Sequence, residues 1–87
     1  MIFPMGRLLI TPGAQAILSA DEIALMLSRH QKGDWGIISD QDKEENELSL
    51  QQGWRLMSAY RAVSGETIWV ITEADRSATT VLLPDEY

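Results

Sequence analysis

Residues 54–83 break into three short strand-like runs, Trp54–Val63, Thr67–Ala74 and Thr79–Leu83. The links between them are so short that each run must pair with the next one antiparallel. Ser64-Gly65-Glu66 makes the first turn and Asp75-Arg76-Ser77 the second. Period-two alternation sorts the side chains. Trp54, Leu56, Ser58, Tyr60 and Ala62 share one face, and Arg55, Met57, Ala59, Arg61 and Val63 the other. In the next run Ile68, Val70, Thr72 and Ala74 oppose Thr67, Trp69, Ile71 and Glu73. A β-meander is therefore expected, and Pro84 ends it.

The first half of the chain supplies what covers the sheet. Arg7–Thr11 is a short apolar run that can add a strand, and Thr11-Pro12-Gly13 stops it. Ala14–Leu18 suits a short helical turn. Ser19-Ala20-Asp21-Glu22 is a capping box that opens a helix running to about Gln31, with Ile23, Met26, Leu27 and His30 on one side. Gly33 fits its left-handed stop. Ser39 or Asp40 opens a second helix over about 40–52, almost wholly polar, in which Leu48 and Leu50 are the expected packing edge. The reading is one α+β domain over residues 1–87, in two layers: the three-stranded meander plus the short N-terminal strand, packed against two helices. The Ile23–Leu27 stripe is expected to meet Ile68 and Val70, or else Trp69 and Ile71.

Eighty-seven residues bury only about 60–65% of the unfolded chain's surface, so the stability margin is thin. There is no cysteine, which excludes disulfides, thiolate metal sites and cysteine nucleophiles. That suits a reducing cytoplasm. Pro4 and Gly6 interrupt the first apolar residues, so no secretory segment is read there, and no run approaches a membrane span. Net charge is −6, and it is local. Residues 33–53 hold Asp34, Asp40, Asp42, Glu44, Glu45 and Glu47 against Lys43 alone. Such a surface repels phosphates and disfavours nucleic acid as a partner.

Few residues offer chemistry. His30, the only histidine, is the first choice for proton transfer, but it continues the Ile23–Leu27 face at a helix end, where a packed histidine is the expected reading. One His without Cys makes a poor metal site, even with Asp34 four residues on. Asp40-Gln41-Asp42 echoes a calcium loop, but Glu45 and Gln51 stand where a Gly and a bidentate Glu are required. No metal and no cofactor is expected. The aromatic residues point elsewhere. A sheet covered on one face would expose Trp69, Ile71 and Met57 together, which makes them candidate interaction residues, with Glu44, Glu45 and Glu47 as an acidic second patch.

The segments SRHQKGDWG, GWRLMSAYR and IWVITEADRSATTVLLPDEY resemble a family of small uncharacterised bacterial proteins encoded on plasmids, phages and integrative elements. The resemblance spans most of residues 7–87. It implies a bacterial cytoplasm and a mobile-element neighbourhood, and it brings no activity and no site residues. A helix bearing a His before an antiparallel sheet also resembles the barnase and RelE class of small ribonucleases. On that analogy His30 is the acid and Glu73 the base, while Arg76, Arg55 or Arg61 holds phosphate charge. Three functions are thus expected in this order: a non-enzymatic protein-interaction module that binds another protein or itself, a metal-independent ribonuclease, and an acidic DNA mimic acting against restriction.

Overall fold

Thr11 closes one element and opens the next. Its N–H donates to the Val81 carbonyl at 3.0 Å, ending strand β1 (Arg7–Ile10), and its hydroxyl accepts from Ala14 N–H. Pro12 then sits at the first position of helix α1 (Pro12–Ile17), where its missing N–H is no loss. Thr11-Pro12-Gly13 thus stops the strand as expected and also starts the helix, two residues before the expected Ala14.

The computed structural model describes residues 2–87. After α1 come α2 (Ala20–Gln31) and α3 (Asp40–Gln52), then β2 (Leu56–Arg61), β3 (Thr67–Thr72) and β4 (Ala78–Leu82). The expected capping box forms. Ser19 Oγ accepts from Glu22 N–H at 3.1 Å and Glu22 accepts from Ser19 N–H at 3.0 Å. The second Glu22 oxygen takes Val63 N–H at 2.8 Å, so this cap also fixes α2 to the β2–β3 hairpin.

The four strands form one sheet in the order β1-β4-β3-β2. The meander is antiparallel throughout, and β1 joins β4 parallel, with Leu8 opposite Thr79 and Ile10 opposite Val81. The strands end sooner than the sequence pattern predicts. Trp54, Val63, Ala74 and Leu83 lie outside them.

One sheet face carries Ser58, Tyr60, Ile68, Val70, Thr72, Thr79 and Val81, and α1 and α2 cover it. Ala14, Leu18, Met26, Tyr60, Ile68, Val70 and Val81 form the main core, with Ile23 and Leu27 packed against it. The α2 stripe therefore meets Ile68 and Val70. A second cluster, Phe3, Trp35 and Leu56, closes the far end and takes Met5, Ile38 and Leu50.

Helix α3 corrects one expectation. Leu48 is 45% exposed, while Asn46 and Ser49 are buried and Leu50 is half-buried. At 100° per residue Asn46, Ser49 and Leu50 share a face, and Leu48 lies on the opposite side. The helix packs through a polar face because it meets a strand edge. Asn46 Nδ2 donates to the Met57 carbonyl at 2.7 Å, and Asn46 Oδ1 accepts from Met57 N–H at 3.1 Å. Its amide so takes the place of a neighbouring strand. Two residues on, Ala59 N–H donates to Trp35 O at 3.1 Å and Ile37 N–H donates to Ala59 O at 2.8 Å. The outer edge of β2 is closed. Asn46→Ala strips both main-chain groups of Met57 of their partner at a part-buried site. We expect a loss of about 1–3 kcal/mol in urea unfolding. A loss under about 0.5 kcal/mol would show that residues 35–37 hold the edge alone.

Candidate functional site: the sheet face without helices

The second sheet face presents Met57 and Ala59 from β2, Trp69 and Ile71 from β3, Thr80 and Leu82 from β4, and Leu9 from β1. Among the described residues no helix crosses it. Residues 83–87 lie over it. Leu83 leads into a 3-10 turn, Pro84–Glu86, whose Glu86 accepts from Leu83 N–H at 2.9 Å, Thr11 Oγ1–H at 2.6 Å and Gly13 N–H at 3.0 Å. Those bonds hold the Glu86 carboxyl below the usual carboxylate range, the Thr11 hydroxyl foremost. Fastened there, the chain lays Tyr87 on Trp69, with ring centroids 6.0 Å apart and 71° between planes. Arg55 lies over the Tyr87 ring, 5.2 Å from its centroid.

Between this aromatic wall and Thr11 lies a shallow groove of about 190 Å³. Ile71, Thr80 and Leu82 form its floor, and Glu73 and Glu86 stand on its rim. The expected exposed trio is corrected in one member. Ile71 is only 2% exposed because the tail crosses above it, while Trp69 and Met57 are half-buried. Met57 faces a separate dent lined by Asp42, Glu45, Asn46 and Arg55. The acidic patch is also divided. Glu44 and Glu45 are free on the surface of α3, whereas Glu47 accepts from Trp35 Nε1–H at 2.8 Å.

His30 is fully buried. Nδ1 lies 2.5 Å from Ser58 Oγ, and Nε2 lies 2.8 Å from Thr72 Oγ1. Thr72 Oγ1 is 2.7 Å from Thr79 Oγ1, which donates to the Met5 carbonyl at 2.8 Å. A carbonyl only accepts, so proton order along this chain is set from its end. Thr79 donates to Met5, Thr72 to Thr79, and Nε2–H to Thr72, which leaves Nδ1 bare to accept from Ser58. Burial, helped by the nearby Arg76 charge, lowers the imidazole pKa to about 4. The neutral ring is a structural bridge between α2 and three strands.

This placement dismantles the nuclease constellation. His30 is bound to Thr72 on the helix-covered face, whereas Glu73 lines the groove on the other. The sheet stands between the acid and the base. Arg76 is occupied too: Nη1 donates to the carbonyls of Trp54, Glu73 and Ala74, and Nη2 to that of Ser49. These four bonds hold Arg76 at φ 62, a conformation a non-glycine residue rarely keeps. Arg61 donates to Gly65 O, and Arg55 lies on Tyr87. Asp34 is held by Arg29 in a two-pronged pair at 2.7 and 3.3 Å, and no three His, Asp or Glu side chains converge among the described residues. No helix among them is long and apolar enough to cross a membrane.

Sequence patterns gave Glu86 and Tyr87 no role beyond the meander that Pro84 ends. A signal was present: Pro84 with Glu86 two residues later is helix-start chemistry, so the chain was set to turn after Leu83. Nothing in the pattern placed that turn against Thr11, 75 residues away. Comparison with protein-family models, curated proteins and solved structures finds no match for this chain.

Proposed function

We propose that the protein is a small, non-enzymatic protein-interaction module of a bacterial mobile element, working in the cytoplasm through the groove on its helix-free sheet face. One observation carries this reading. Among the described residues no helix lies over this face; Ile71 and Leu82 are buried beneath residues 84–87, while Trp69 is half-buried and a groove stays open between Thr11 and Tyr87. A groove with an aromatic wall and an apolar floor suits a single inserted side chain of a partner. The rim gives the partner's chemistry. Glu73 and Glu86 beside an apolar floor suit a segment that inserts one apolar side chain between Lys or Arg residues. The mobile-element setting rests on the resemblance of residues 7–87 alone.

The test is capture from a bacterial lysate by the wild type and by Glu73→Arg. Glu73 is exposed and holds Arg76 only through its main chain, so the variant keeps the fold. A specific partner bound by the wild type and lost by Glu73→Arg supports the groove. Capture of nothing, or equal capture by both, removes it.

A further inference from the structure

The two edges of the sheet are treated in opposite ways. On β2 the outward N–H and C=O of Met57 and Ala59 are all bonded, to Asn46, Trp35 and Ile37. On β1 nothing plays that part. Arg7 and Thr11 donate inward to Ser77 and Val81. By alternation the N–H and C=O of Leu8 and Ile10 point outward, and among the described residues no group bonds them. None of the usual blocks lies within the strand either: no proline, no bulge, and no charge after Arg7. Two leucines stand open instead, Leu8 at 55% and Leu9 at 40% exposure.

We propose that β1 is a self-pairing edge, on which a second copy of this chain docks to make one continuous eight-stranded sheet. This goes beyond the groove reading and does not depend on it. The strand is complementary to itself in one register. An antiparallel pair centred on Leu9 sets Leu8 against Ile10 of the other copy, and Ile10 against its Leu8. These are the residues whose main-chain groups face outward, so four hydrogen bonds close. Leu9 meets Leu9 across the axis as a non-bonded pair, in which side chains come closest. Two chains of net charge −6 repel, and charge opposes a copy least at this edge. Residues 1–32 carry a net +1 and residues 33–53 a net −5, and α3, which holds most of those acids, flanks β2 at the opposite edge. Pairing through β1 therefore keeps the two acidic helices as far apart as the sheet allows. A two-fold axis normal to the sheet also brings both grooves onto the same face.

Sedimentation equilibrium from about 10 μM to about 1 mM spans the range of a small interface. The mass should rise from 9.7 kDa towards twice that, and Leu9→Lys should hold it at the monomer value. The chain has no cysteine, so Leu9→Cys gives a single thiol. Mild oxidation should link it into a covalent dimer, and should leave Leu8→Cys largely unlinked, since that residue is displaced from the axis. A wild type that stays at 9.7 kDa at the highest concentration overturns the proposal. So does a dimer that survives Leu9→Lys, or a Leu8→Cys variant that links faster than Leu9→Cys. An edge that takes an added extended peptide while the chain stays monomeric also overturns it and assigns β1 to a foreign strand.

Discussion

Acidification from pH 7 to pH 4 is expected to remove about 3 kcal/mol of stability through His30 alone. In the folded protein its pKa lies at about 4, against 6.5 for the free side chain. Between those values the unfolded chain binds a proton that the folded chain refuses, so unfolding is favoured as pH falls. Each pH unit across that window costs about 1.4 kcal/mol. The contribution is intact above pH 6.5, declines below it, and is fully lost below about 4. For a domain whose whole stability is about 5–15 kcal/mol, that is a large share. The physical cause is burial of the imidazole, which disfavours its charged form, with the nearby Arg76 charge adding to it. Glu22, Asp34, Asp75 and Glu86, all held below the ordinary carboxylate range, weaken the fold only at lower pH. Urea unfolding at pH 7, 6, 5 and 4.5 separates the two effects. His30→Gln should start less stable and show almost no slope from pH 7 to 5. A wild-type curve flat over that range would refute the buried neutral ring.

The other large effect is Gly36→Ala, for which we expect about 3–5 kcal/mol of destabilisation. Gly36 has φ +77, and the residue runs parallel to Ala59 at the closed edge of β2. A Cβ there would fall on the Ala59 carbonyl oxygen and reach 2.7 and 2.9 Å from the Tyr60 ring. The left-handed backbone alone costs a side chain about 1–2 kcal/mol. The rest comes from forcing apart the Trp35–Ala59–Ile37 bonds, each worth about 0.5–1.5 kcal/mol, and from moving a buried ring. Gly53→Ala is the control. Its φ is 76, and a Cβ there meets nothing within 4 Å, so it carries the backbone cost alone. Thermal and urea unfolding of the two variants should differ by about 2–4 kcal/mol. Equal losses would mean that residues 35–37 move aside freely and do not seal the edge.

Much of the fold was legible in local pattern. The meander, the Ser19 capping box, the α2 stripe and the left-handed stop at Gly33 each follow from residues a few positions apart, where sterics and period decide. The candidate site was legible only in part. Trp69 and Met57 lie on the helix-free face as alternation predicts, but Ile71 is covered. His30 continues the α2 stripe in sequence, which favours a packed histidine, and the fold buries it as one. Asn46, Glu86 and Tyr87 carried little signal, because each acts on a partner chosen by the assembled sheet.

The sequence by itself therefore determined element type and order, which strand side chains share a face, and the antiparallel pairing of β2, β3 and β4, because short turns and side-chain period decide these locally. It also set the separation of charge between residues 1–32 and 33–53. Only the tertiary structure decided that β1 lies parallel to β4, that Asn46 and Gly36 seal β2 while β1 stays open, and that Thr72 holds His30 on one face while Glu73 rims the groove on the other. Those outcomes depend on hydrogen-bonding groups brought together from opposite ends of the chain. Thr11 meets Glu86, and Met5 meets Thr79. A main-chain N–H or C=O accepts any suitable partner, so which one it finds is set by where the packed layers place it.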